Sequence, residues 1–300
     1  MSTTKMPADM RIGPPILRVK DLEKELSFYE PALGLQVNRK YRTDDDIEAI
    51  ELGFNGKFKE YGEPLLVLKH DPDAKQTRHN FAGLFHYAIL VPDRKRLAYA
   101  YSALQNSGVP FEGFADHLVS ESLYFHDPEH NGMEIYRDRS RDEWPRDQNG
   151  HIVMDTLPLD LSSLEAELSE DERDSAAPFP GGARLGHMHL RVTNLERSLS
   201  FYRDRLGLEM TADWRAFGAG FLSAGGYHHH VGINTWHSAD GTPHLNGEAG
   251  LDSFIIRVRD RSFIEAIAAE VRGSIISTEP HGQLLIADPD GIRIMIELQP

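Results

Sequence analysis

The chain has 300 residues, is 40% hydrophobic and 26% charged, and carries a formal net charge of −15. That balance disfavours nucleic acid and anionic membrane surfaces as partners, because both reward a basic face. The absence of cysteine excludes disulfides, thiolate catalysis and cysteine-ligated zinc or iron–sulfur sites. No apolar run approaches the about 20 residues of a membrane span, and Met1–Met10 lacks the basic start and apolar core of a signal peptide, so a cytoplasmic protein is expected.

Taken in chain order, the elements repeat. The stretch "PPILRVKDLEKELSFYEPALGLQV" (14–37) reads as an apolar strand and then a helix started by Asp21. Leu22, Leu26, Tyr29 and Leu33 fall at helical spacing, and Gly34 is the expected C-cap. "FHYAILVPDRKRL" (85–97) is again strand then helix. It leads to "LYFHDPEHNGMEIYRD" (123–138), two strands around Asp127-Pro128. Residues 139–183, rich in Asp, Glu, Ser and Pro and running into "AAPFPGGAR", read as a linker with one short helix near 160–170.

"GHMHLRVTNLERSLSFYRDRLGLEM" (186–210) then restates the first stretch, with Leu-Arg-Val, Ser-Phe-Tyr and Leu-Gly-Leu in register. Its helix is expected to open at Thr193, with Glu196 at capping-box spacing, and to close at Gly207. "DSFIIRVRDRSFI" (252–264) restates the second stretch, and its module ends through Asp288-Pro289. The expected fold class is therefore α+β. Four βαβββ modules are expected, roughly 12–71, 84–137, 185–236 and 250–298; they resemble those of the vicinal-oxygen-chelate superfamily, which implies two cup-shaped mixed β-sheet modules. The expected domains are 10–137 and 184–300, joined by a linker over 138–183.

One carboxylate needs explaining. Glu134 lies between Met133 and Ile135 in an apolar strand, where an isolated charge is costly to bury. Four βαβββ modules resemble the vicinal-oxygen-chelate superfamily, which includes glyoxalase I, fosfomycin-resistance proteins, bleomycin-binding proteins and extradiol ring-cleaving dioxygenases. The resemblance implies a metal held by first-strand His residues of two modules and a last-strand Glu. The first strands offer Pro14, His86, His187 and Ser253 at that position. The last strands offer Glu134 and Met295, with Glu297 two residues further on. Modules two and three are thus expected to share a cup holding His86, Glu134 and His187, with modules one and four forming a blank pair. Two His and one carboxylate leave positions open for substrate and dioxygen and suit Fe(II), with Mn(II) as the alternative. His189 is a rival to His187, because it faces the same way in a strand.

The resemblance to extradiol enzymes also places a catalytic His within "GGYHHHVGINTW" (225–236). Alternation puts His229 on one face with Val231 and Ile233, and His228 with His230 on the other. The family pattern aligns with His229 as acid–base catalyst and leaves His228 beside the substrate, although any of the three remains open. Tyr124, ten residues before Glu134, and His117 match the family's substrate-side Tyr and His. His126 is expected on the opposite face.

What the resemblance implies is a catechol 2,3-dioxygenase-like enzyme that opens a small aromatic diol with O2. Proton management would fall to His229 and Tyr124. The alternatives are a hydroquinone dioxygenase, a glyoxalase-like isomerase or lyase, and a metal-free binding protein. A homo-oligomer is compatible with all of them.

Overall fold

A computed structural model describes residues 4–54, 64–75, 80–174, 182–278 and 282–299. The first module comprises β1 (Arg11–Ile12), β2 (Ile16–Val19), α1 (Leu22–Leu33), β3 (Gln36–Arg42), β4 (Glu48–Gly53) and β5 (Leu66–His70). The second comprises β6 (Gly83–Val91), α2 (Arg94–Asn106), β7 (Phe111–Asp116), β8 (Ser120–His126) and β9 (Gly132–Asp138). The connecting segment carries β10 (Leu157–Pro158), α3 (Leu161–Glu165) and α4 (Glu170–Asp174); residues 176–181 of its "AAPFPGGAR" end lie outside the described residues. The third module comprises β11 (Arg184–Arg191), α5 (Leu195–Ser200), β12 (Glu209–Trp214), β13 (Ala219–Ser223) and β14 (Val231–Asn234). The fourth comprises β15 (Gly250–Val258), α6 (Arg261–Glu270), β16 (Ile275–Thr278), β17 (Leu284–Ala287) and β18 (Arg293–Leu298). The fold is α+β, with the four βαβββ repeats that the sequence leads one to expect.

The chain divides into two compact units. One holds Met1–Arg18, Ala74–Phe85 and Gly186–Pro300, the other Val19–Asp73 and His86–Leu185. In the first, strands run in the orders β16-β17-β18-β15-β2, with β1 on β15, and β11-β14-β13-β12. In the second the orders are β5-β4-β3 and β10-β7-β8-β9-β6. The first strands of modules one and four pair antiparallel, Gly250 opposite Arg18 and Leu251 opposite Leu17.

The recurring Ser-Phe-Tyr and Asp-Pro pieces lock onto each other. Tyr29 on α1 donates its hydroxyl to Asp127 at 2.8 Å, and Tyr202 donates to Asp288 at 3.0 Å. The acid two residues further on closes the start of the preceding module's helix. Glu129 accepts the backbone N–H of Lys20 and of Asp21, both at 2.7 Å, and Asp290 accepts that of Thr193 at 3.0 Å. Orphan amides at a helix start are satisfied in this way by the next module rather than by solvent.

Two helix ends follow the expectation and one departs from it. Asp21 caps α1 by accepting from Lys24 N, and Gly34 ends it with φ of 65°. At α5 the N-cap is Asn194, accepting from Arg197 N at 3.0 Å, and not Thr193. The Thr193 hydroxyl is already spent on Asp290. The helix then continues as a π-helical turn over Phe201–Arg205 before Gly207, whose φ is 75°.

The connecting segment holds two short helices where one is expected, and it docks by charge. Arg94 of α2 donates to Ser163 O and Glu167, and Glu172 accepts from Lys95 and Tyr99.

Candidate metal centre

In the Val19–Asp73 and His86–Leu185 unit, β6 and β9 run parallel, with Ala88 opposite Glu134. β8 runs antiparallel to β9, with Tyr124 directly opposite Glu134. This register brings three expected site residues together. His86 Nε2 stands 3.0 Å from a Glu134 carboxylate oxygen, and the His86 and Tyr124 rings lie 5.5 Å apart. His86 is 6% and Glu134 2% exposed, so the acid sits in the apolar wall that the sequence indicates.

His117 joins them through Tyr124. Its Nε2 lies 2.7 Å from the Tyr124 hydroxyl, and its Nδ1 lies 2.8 Å from the carbonyl of Asp155. A carbonyl only accepts, so Nδ1 carries a proton, and in the neutral ring Nε2 accepts the phenolic O–H. Burial, reinforced by the Glu134 charge, raises the Tyr124 pKa well above the ordinary phenol value and keeps it a donor. Asp155 belongs to the connecting segment and carries no motif, so its contribution through a backbone carbonyl left no trace in the sequence. His126 stands two residues from Tyr124 in β8 and so shares its face, contrary to expectation. It lies at the strand end, where Nδ1 meets the Asp127 carbonyl at 3.0 Å and the ring faces His130.

The other unit carries the remaining His candidates. His187 on β11 is 1% exposed, and its ring centroid lies 4.0 Å from that of His229. His189 is engaged differently. Its Nε2 lies 3.0 Å from the Asn234 amide nitrogen, which can only donate, and its ring packs against Phe85, Phe221 and Trp236. Gly232, opposite His189 in β14, makes room for that ring: a Cβ there would meet it at 3.0 Å.

The alternation expected for residues 228–230 does not occur. β14 begins only at Val231, and Gly225 and Gly226, with φ of 63° and 66°, turn the preceding backbone out of extended geometry. His228 and His229 consequently face each other, with their Nδ1 atoms 2.8 Å apart. His230 turns away, its Nδ1 2.8 Å from Ser223 Oγ.

In the blank pair, Glu297 is committed to an ion pair with Arg257 at 2.8 Å and accepts from Gln283. Pro14, Ser253 and Met295 add no comparable donor set.

Mixed sheets built from repeated βαβββ modules, with His and Glu on buried strands, define the class of fold. The chain belongs to the Glyoxalase/Bleomycin resistance protein/Dioxygenase superfamily, whose family model matches residues 11–135 and 184–296. It is 36% identical over 277 residues to "Catechol-2,3-dioxygenase" of Bacillus subtilis (strain 168), a match covering 92% of each chain. Among solved structures, a putative dioxygenase from Bacillus subtilis superposes with a TM-score of 0.64 at 14% identity, over 100% of this chain and 87% of that one. Glyoxalase I from Zea mays superposes with a TM-score of 0.58 at 16% identity, over 96% and 92%. These two likenesses establish the fold. No described helix is long and apolar enough to cross a membrane.

Proposed function

We propose that the protein is an extradiol ring-cleaving dioxygenase acting on a catechol-type aromatic diol, with His86, Glu134 and His187 holding Fe(II), or Mn(II) as the alternative. The observation that carries this reading is the buried pairing of Glu134 with His86 beneath Tyr124, in a chain 36% identical to a protein named as a catechol dioxygenase. Pairing of β2 with β15 commits the first strands of modules one and four to each other, which supports modules two and three as the metal-holding pair. The donor set fits the group: two imidazoles and a carboxylate suit a divalent iron, and a cation offsets the cost of an ionised acid in an apolar wall.

Fe(II), when bound, supplies the electron-transfer chemistry that lets O2 react with an aromatic diol. The chain's residues orient the diol and move its protons. The Tyr124 hydroxyl is held by His117 Nε2 and stands opposite Glu134, where it can bond to a diol oxygen. His117 is held in the accepting tautomer by the Asp155 carbonyl. His229, whose ring lies against His187 and whose Nδ1 meets that of His228, is the acid–base group of this reading. The product is a ring-opened muconic semialdehyde retaining both oxygen atoms of O2.

The test is to purify the protein anaerobically, count bound iron, and add catechol under air. A yellow product with iron bound is the expected result. Iron without ring opening of any catechol would favour an isomerase or lyase, and ligand binding by a metal-free protein would favour a binder. Glu134→Ala is expected to abolish metal retention while leaving the circular dichroism spectrum intact.

A further inference from the structure

The Leu-Arg-Val repeat contains an internal comparison. Arg18, in module one, is 4% exposed and donates to Asp252 at 2.8 Å, so its buried charge is matched. Arg191 occupies the same repeat position in module three. The residue aligned with Asp252 in module two is Phe85, which brings a ring where the other pair has a carboxylate. Arg191 therefore lacks the counter-ion of its repeat partner. Its Nε has no hydrogen-bond partner, and its guanidinium lies 5.2 Å over the face of Phe81. Burial alone pushes its pKa below the usual arginine range, with no carboxylate among the described residues to offset it. Arg191 is half-buried, and a ring face returns less than a carboxylate would, so its charge is matched less fully than that of Arg18.

Position says what could complete it. Residues 187, 189 and 191 of β11 share one face of the strand by alternation, so Arg191 stands on the same face as His187. Their Cα atoms are about 13 Å apart at about 3.3 Å per residue. Between them lie His189 and the aromatic rings of Phe85, Phe221 and Trp236. Asn234, opposite Arg191 in β14, is turned toward His189 and supplies no acceptor to the guanidinium.

We propose that Arg191 is a specificity-determining residue that binds an anionic substituent of the substrate, making the substrate an aromatic diol that carries a carboxylate on the side away from the metal. This rests on the dioxygenase reading above for the diol, though not for the anion. Arg presents a planar fork of donors that matches a carboxylate bidentately.

The test compares 3,4-dihydroxybenzoate with its neutral isostere 3,4-dihydroxybenzamide as substrates of the iron-loaded protein and of Arg191→Met. The wild type is expected to prefer the acid by at least about 10-fold in kcat/KM, and Arg191→Met to lose that preference by about 10- to 100-fold, the range of a charge-assisted contact. Its melting temperature should not fall, because removing an unmatched buried charge costs little. Arg191→Lys is expected to recover part of the preference. Binding of benzoate, measured by calorimetry on wild type and Arg191→Met, separates this inference from the dioxygenase reading. Arg191-dependent benzoate binding by a protein that opens neither diol would sustain the anion site and reject the ring cleavage. Equal loss with acid and amide, or a lower melting temperature with the preference intact, would assign Arg191 a structural role and overturn the proposal.

Discussion

Replacing Glu25 with Gln is expected to stabilise the protein, and increasingly so as pH rises. Glu25 lies on α1 with 0% exposure, and neither carboxylate oxygen has a hydrogen-bond partner among the described residues. Burial first, and then the charges of Asp127 and Glu129, raise its pKa from 4.5 to about 10. A folded-state pKa above the unfolded one means that folding takes up a proton. The associated stability is complete below pH 4.5 and is lost progressively as pH rises toward 10. At about 1.4 kcal/mol per pKa unit, the loss at pH 7 is about 3 kcal/mol. The matching helix position in module three is Ser198, which donates to Asp290 and carries no such cost. Gln keeps the size of Glu and cannot ionise, so its own offset is independent of pH. Urea unfolding of wild type and Glu25→Gln at pH 5, 7 and 9 reads the difference directly. The two curves should lie within about 1 kcal/mol at pH 5 and diverge by about 3 at pH 7. Parallel curves would refute the assignment, since they would mean that Glu25 ionises normally in the folded protein.

Three further outcomes are expected. Glu121 is 4% exposed and held by Arg94, Arg137 and Arg139 at 2.9, 3.0 and 3.3 Å; burial raises its pKa, but Arg137 and Arg94 more than offset this and leave it lowered. Glu121→Gln should cost about 3 kcal/mol, and the wild-type contribution should fade as pH falls through the depressed pKa, both readable in acid unfolding curves. Gly232→Ala places a methyl 3.0 Å from the His189 ring, so a loss of about 1–3 kcal/mol in thermal unfolding is expected. Tyr124→Phe removes the donor to His117 and leaves His86 and Glu134 in place, so turnover should fall about 100-fold or more with bound iron unchanged by elemental analysis.

The repeats were legible because each recurring residue has one physical task. Asp21 and Gly34 cap a helix, Tyr29 and Tyr202 reach an Asp-Pro turn, and the spacing of these pieces is written into the chain. The buried Glu134 and its His86 partner were legible for the same reason, since a charge in an apolar strand requires company. The His228–His230 run was not, because periodicity assumes extended backbone and two glycines with positive φ interrupt it. Thr193 has the right side chain for a cap, yet a long-range acid competes for its hydroxyl, which no local pattern reveals. Arg191 looked like part of a repeat. Only the positions of Asp252 and Phe85 distinguish a guanidinium with a carboxylate partner from one that meets a ring.

The helix starts of modules one and three are completed by acids 108 and 97 residues further along the chain. On a ribosome, α1 emerges well before Glu129 and α5 well before Asp290. A nascent odd-numbered module must wait for its successor before its first turn is fully satisfied. Successive modules should therefore gain protection from proteolysis in pairs, and a break between Asp127 and its upstream helix would leave two fragments that each need the other to fold.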